Sequence, residues 1–152
     1  MKLYDLIVFD VSGTLVYEHS DYKMVEGMAE LLEKLHAEGY KIALATNLSR
    51  AGLNRFIEQN SLKHLIEAST CASEASAKPE TEMLHLLSLE TDVGHDQMLM
   101  VGDSSADIYM AHAFSCHSLA VSWGKNFYSE VLNAQPTYSA QTIDEIYEIL
   151  AL

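Results

Sequence analysis

The sequence predicts an α/β protein, a three-layer α/β/α sandwich around one mainly parallel sheet. Apolar runs of strand length alternate with segments of helical spacing along most of the chain, the order that gives a parallel sheet covered by helices. The first apolar run, Leu6-Ile7-Val8-Phe9, stops abruptly at Asp10, with Gly13 and Thr14 close behind. Open α/β sheets bind ligands at the carboxyl ends of their strands. The 152 residues, 49% of them apolar and free of repeats, low-complexity tracts or linkers, suit a single domain over 1–152 with a sizeable core.

Each element has its own signal. Residues 3–9 read as the first strand. Met24, Val25, Met28, Leu31, Leu32 and Leu35 recur at helical spacing, which predicts a helix over 24–37 stopped by Gly39. A short strand over 41–46 leads into a helix over 50–59, and 65–68 is the candidate third strand. Pro79 suits a first helical position and opens a helix through about 89. A fourth strand over 97–101 runs into Gly102-Asp103, followed by a helix over 105–113 and a fifth strand over 118–121. Thr142-Ile143-Asp144-Glu145 has the form of a capping box before a last amphipathic helix ending at Leu150.

Composition excludes several functions. The formal charge of −13 opposes binding to nucleic-acid phosphates, which needs clustered Lys and Arg. The tyrosines form no stripe beside basic residues, so base stacking has no support. No apolar run nears the ~20 residues that cross a bilayer, and the N-terminus lacks a signal-peptide pattern, so a cytoplasmic protein without membrane or nucleic-acid partners is expected. Cys71 and Cys116 are then reduced thiols. His112, Cys116 and His117 match no familiar zinc spacing; packing or exposure is their expected role.

Chemistry-bearing residues fall at strand ends and helix starts: Asp10 and Thr14, Thr46 and Asn47 in Ala45-Thr46-Asn47, Lys78 in Ala77-Lys78-Pro79, and Asp103 and Asp107 in Gly102-Asp103-Ser104-Ser105-Ala106-Asp107. Each has an ordinary structural reading. Asp10 could cap a turn, Thr46-Asn47 could be a helix N-cap region, Lys78 a solvated loop residue, and Asp107 a first-turn acid favoured by the helix dipole.

Together, and in this order, the four segments resemble the motifs of the haloacid dehalogenase-like hydrolases, over almost the whole chain. The resemblance implies a Rossmann-like sheet in the order three, two, one, four, five. It also implies a Mg²⁺-dependent phosphohydrolase in which Asp10 attacks phosphorus and becomes an aspartyl phosphate. Mg²⁺ prefers hard oxygen ligands; it would be held by Asp10, the Ser12 backbone carbonyl, Asp103 and Asp107. Thr14, Thr46, Asn47 and Lys78 would contact the phosphorylated substrate, with Lys78 also offsetting charge on the nucleophile.

Ser12 departs from the family pattern, which has a second Asp there. That Asp protonates the leaving oxygen and later activates water, and a serine hydroxyl cannot replace it near neutral pH. General acid–base catalysis contributes ~10²–10⁴-fold, so low turnover on phosphate monoesters is expected, with acyl phosphates and other good leaving groups least affected. His19 or Glu18 could supply the missing acid. The alternative is a catalytically impaired phosphate- or metal-binding pseudophosphatase module. Asp103 disfavours the dehalogenating branch of the family, which lacks that acid.

Asp10 to Thr46 and Thr46 to Lys78 each hold only a helix, a strand and loops, which predicts a protein without a cap domain. Such an open site suits a large substrate or a homo-oligomer that covers it. Trp123-Gly124, beyond the fifth strand, resembles a segment of many family phosphatases and reads as structural.

Overall fold

In the computed structural model, which describes residues 2–17, 21–123 and 128–152, six parallel strands form one sheet in the order β3-β2-β1-β4-β5-β6. They are β1 (Leu6–Phe9), β2 (Lys41–Thr46), β3 (Ala68–Cys71), β4 (Met98–Gly102), β5 (His117–Val121) and β6 (Tyr138–Ala140). The helices are α1 (Met28–Ala37), α2 (Arg50–Gln59), α3 (Glu82–Thr91), α4 (Ser105–Phe114), α5 (Tyr128–Asn133) and α6 (Ile143–Leu150). β1 lies between β2 and β4, with Phe9 level with Leu44 on one side and Val101 on the other.

Side chains alternate across a strand, and the alternation divides the core. Ile7, Phe9, Ile42, Leu44, Leu99 and Val101 face a layer made by Leu31 and Leu35 of α1, Phe56 of α2 and Ile146 of α6. Leu6, Val8, Ala43, Ala45, Met98 and Met100 face the opposite layer, where Met83 and Leu87 of α3 and Met110 of α4 pack. Both faces of the sheet are covered, which explains why its central strands β1 and β4 read as unbroken apolar runs. The expected three layers and the order of the first five strands hold.

Several local expectations shift. The first helix starts at Met28 after Gly27, whose φ is 86°. Met24 and Val25 cover the core from the preceding loop, Met24 bridging to Val16 and the Val25 N–H bonding the Leu15 carbonyl. β3 begins at Ala68, because Leu65 belongs to a turn, its N–H donating to the Leu62 carbonyl while its side chain still packs on the core. Pro79 stands in a turn closed by the Glu80 N–H on the Ala77 carbonyl, after a cis Lys78–Pro79 bond, and α3 starts at Glu82. At α6, Thr142 Oγ1 accepts from the Glu145 N–H, while the Glu145 carboxylate meets the Thr142 hydroxyl. α5 and the three-residue β6 were not predicted: neither is long enough to show a period, and β6 exists by pairing with β5.

Candidate active site

The sheet reverses its chain order between β1 and β4, and the candidate residues gather at the carboxyl end of that seam. Asp10 continues β1 for one more residue, its N–H bonded to the Val101 carbonyl at 2.9 Å. The chain then turns tightly, with the Val11 carbonyl accepting from the N–H groups of Thr14, Leu15 and Val16. Gly13 has φ 83°, and a Cβ there would overlap the Asp103 carboxylate. Gly102 is equally constrained, because a Cβ would overlap Asp107. These two glycines let the carboxylates sit directly against backbone.

α4 brings in Asp107 through a capping box. Ser104 Oγ accepts from the Asp107 N–H, and Asp107 Oδ2 accepts from the Ser104 N–H and hydroxyl. Asp107 is thus both a first-turn acid and a member of the acidic group. One carboxylate oxygen from each of Asp10, Asp103 and Asp107 lies within 4.8 Å of the other two.

Lys78 crosses this group. Its side chain is only 3% exposed, and its ammonium lies 2.9 Å from Asp10 Oδ1 and 2.5 Å from Asp107 Oδ1, which removes the solvated-loop reading. Burial pulls the ammonium's pKa down, but Asp10 and Asp107 more than offset this and hold it raised. Asp10 is pushed up to about 6 by burial, against the pull of Lys78 and with a further push from Asp103. Asp107 is also raised to about 6, by burial and then by Asp10.

Thr46 ends β2 and is buried, its Oγ1 accepting from the Leu48 N–H at 3.2 Å, so its proton remains available to an acceptor. The N-cap of α2 is Ser49, which accepts from the Gly52 N–H at 3.1 Å; Thr46-Asn47 lies before the cap. Asp10, Ser12, Thr46, Asn47, Leu48, Lys78, Asp103 and Ser104 line one cavity of about 280 Å³. Ser12 is exposed there.

Thr14 stands elsewhere. It is fully buried behind the loop and its hydroxyl donates to Asp103 Oδ1 at 3.3 Å, so the expected substrate contact is replaced by a contact to an acid of the site. Glu18 and His19 lie outside the described residues, as does Gly124. The sequence reading missed Leu48 and Ser104, whose places depend on how the loops fold, and the reach of Trp123, whose indole Nε1 donates to the Thr14 carbonyl at 2.9 Å. His112 bonds the Ala134 carbonyl, His117 meets the Tyr4 hydroxyl, and Cys116 is a buried free thiol with its pKa pushed up to about 12 by burial. Asp10, Asp103 and Asp107 form the one carboxylate, His or Cys group able to hold a metal among the described residues.

The three acids fit a divalent cation. They offer hard oxygen donors within 4.8 Å of one another, with the Lys78 ammonium set against Asp10 and Asp107. Burial raises the pKa values of Asp10 and Asp107 despite the Lys78 ammonium beside them, so their charged forms are costly without a further cation. A stability prediction follows by linkage. With folded values near 6 above unfolded values of ~4, the folded state binds protons more tightly in that window. Stability is therefore greatest below about pH 4 for these two groups and falls as the pH rises through about 6. In metal-free buffer the melting temperature should be higher at pH 5 than at pH 7, and Asp10→Asn should flatten the difference. An equal difference in the variant would show that other groups cause it.

An open parallel sheet whose strand-end carboxylates converge at the switch in chain order, beside a buried lysine, defines a Rossmann-like α/β protein with an acidic ligand centre. The sequence profile described as Haloacid dehalogenase-like hydrolase matches residues 15–121, and the chain belongs to that family. A phosphoglycolate phosphatase from Aliivibrio fischeri is 34% identical over 124 residues, 81% of this chain and 55% of that protein. One from Vibrio parahaemolyticus is 30% identical over 124 residues, 81% of this chain and 54% of that protein. The chain spans about half the length of these curated relatives. Solved structures share the fold. A haloacid dehalogenase superfamily hydrolase from Ehrlichia chaffeensis superposes with TM-score 0.82 at 14% identity, covering 99% of this chain and 98% of that one. A haloacid dehalogenase-like family hydrolase from Streptococcus pneumoniae gives 0.80 at 16%, covering 96% and 98%. No helix among the described residues is long and apolar enough to cross a membrane.

Proposed function

We propose that this chain is a Mg²⁺-dependent phosphohydrolase acting through an aspartyl phosphate on Asp10. The observation that carries the reading is the convergence of Asp10, Asp103 and Asp107 within 4.8 Å, with Lys78 bridging Asp10 and Asp107, under a cavity lined by Thr46 and Asn47. Asp10, Asp103, Asp107 and the Ser12 carbonyl would hold Mg²⁺. When bound, the ion supplies positive charge that weakens the repulsion between a carboxylate nucleophile and a phosphoryl group.

The chain's own residues divide the remaining work. An Asp10 carboxylate oxygen attacks phosphorus and the bond to the leaving oxygen breaks. Thr46 donates its hydroxyl proton to a phosphoryl oxygen, and Asn47 lies at the cavity to do the same with its amide. Lys78, held protonated by its two carboxylates, balances charge on Asp10 and is unsuited to release a proton. Water then attacks the phosphoaspartate and regenerates Asp10. The leaving oxygen and the attacking water both need proton transfer, and Ser12 supplies none.

The substrates that fit are those whose leaving group departs without a proton, acyl and aryl phosphates ahead of alkyl esters. The relatives' phosphoglycolate is an alkyl phosphate, and turnover of it here should be slow. Ser12 is also the observation that favours a second reading, a phosphate- or metal-binding module without useful turnover. Each of the segments β1–β2 and β2–β3 contributes one helix among the described residues, so a large substrate or a second copy of this chain would complete the walls of the site.

Thermal melting tests the cation site directly. Mg²⁺ at a hundredfold excess over its Kd should add about 2.7 kcal/mol to the stability, a rise of about 5–10 °C for a domain of this size. Asp103→Asn should lose most of it. No rise in the intact chain, or the same rise in the variant, would reject a specific site.

A further inference from the structure

Trp123, the chain's single tryptophan, stands two residues beyond β5, and β5 is separated from β1 by β4. Its indole nonetheless reaches the loop that follows β1. Nε1 donates to the Thr14 carbonyl at 2.9 Å. Thr14 is gripped at its other end as well, because its hydroxyl donates to Asp103 Oδ1 at 3.3 Å. A residue with no surface exposure thereby ties the end of β4 to the residue that follows β5.

The rest of the loop has its own anchors. The Val11 carbonyl gathers three N–H groups, and the Gly13 N–H bonds the Val16 carbonyl at 2.8 Å. Gly13 leaves the space the Asp103 carboxylate occupies, since a Cβ there would overlap it. A shift of Thr14 therefore disturbs the Asp103 carboxylate through their hydrogen bond and the Ser12 carbonyl through the short stretch of chain between Ser12 and Thr14. Both belong to the ligand set assigned above, so this inference rests on that reading. The half-buried indole packs against the larger core cluster, which fixes the ring and aims its N–H before any ligand arrives.

We propose that Trp123 is a positioning residue for the cation site, its indole N–H holding Thr14 so that Asp103 and the Ser12 carbonyl stand ready for Mg²⁺. Packing requires only the aromatic ring; the positioning role requires the N–H donor. Trp123→Phe separates the two, since it keeps an apolar ring and removes the donor. Partners that orient metal ligands typically change metal affinity by 10–100-fold when removed, and an effect at the lower end, about tenfold, is expected for a bond made to a backbone carbonyl.

The test is calorimetric titration of Mg²⁺ into the intact chain and Trp123→Phe, with the metal-free melting temperature of each as a folding control. Affinity weakened about tenfold in a variant that still melts cooperatively supports the proposal; affinity unchanged within twofold overturns it. Should Trp123→Phe fail to fold, the emission of Trp123 in the intact chain decides. A spectral change that follows the calorimetric isotherm and vanishes in Asp103→Asn supports the proposal, and flat emission while calorimetry records binding overturns it. If the intact chain binds no Mg²⁺ at all, the cation-site reading falls together with this inference. If it binds and the variant binds equally well, only the inference falls.

Discussion

Asp10→Asn is expected to bring hydrolysis of aryl and acyl phosphates to the detection floor, because the amide oxygen is a poor nucleophile and Asp103, the other carboxylate lining the cavity, is engaged by the Thr14 hydroxyl and assigned to the cation. Removing one member of a catalytic unit costs on the order of 10⁴–10⁶-fold; here the measurable loss is bounded by the low rate expected of the intact chain. The same change should leave the metal-free protein as stable or more so. Asp10 is buried and its carboxyl is pushed up to about 6, so the charged form costs stability at neutral pH, and an amide of the same shape removes that cost. Lost activity with a retained or raised melting temperature would identify Asp10 as the nucleophile. Intact-protein mass spectrometry after exposure to acetyl phosphate and Mg²⁺ gives a second readout: a phosphoryl adduct on the intact chain, absent in Asp10→Asn. An adduct that persists in the variant would place the covalent chemistry elsewhere.

Ser12→Asp should act in the opposite direction. Ser12 is exposed at the cavity that Asp10 and Asp103 share, so a longer side chain meets solvent rather than core. A carboxyl there can protonate the leaving oxygen and then accept a proton from the attacking water. Hydrolysis of an alkyl phosphate should rise by a substantial part of the ~10²–10⁴-fold that acid–base catalysis supplies. The gain should be smaller for an acyl phosphate, whose leaving group departs as a stable carboxylate, and the phosphoaspartate adduct should be shorter-lived. Steady-state rates on both substrates, together with adduct lifetime, separate the steps. Equal gains on both substrates would show that Ser12→Asp acts on water attack alone. No activity in either the intact chain or Ser12→Asp would reject the hydrolase and favour the binding module. A fast intact chain on an alkyl phosphate would refute the account of Ser12 and direct mutagenesis to Glu18 and His19.

Much of the fold was legible because its cause is local and periodic. The boundaries of β2 and α2 were read correctly from an apolar run and from helical spacing, and the acid at the end of β1 marked the functional edge of the sheet. Elements escaped where the cause is tertiary. β6 is three residues that become a strand by pairing with β5, and Leu65 is apolar because a turn presses it onto the core. Thr14 shows the same limit at the site. Its place in the motif suggested phosphate, whereas the folded loop turns its hydroxyl to Asp103 and its carbonyl to Trp123.

By itself the sequence determined the layered parallel sheet and the set of acids, and it put a serine at position 12, where the family resemblance implies a carboxyl. The sheet and the acids follow from periodicity and residue type, which the chain carries regardless of what surrounds it. Only the tertiary structure decided which carboxylates share one centre, that Lys78 is buried across two of them, and that Trp123 braces the loop from 109 residues away. Those facts depend on distances between strands that are neighbours in the sheet and remote in the chain. Burial then set the pKa values, because a carboxyl's affinity for its proton depends on the water and charge around it rather than on its neighbours in sequence.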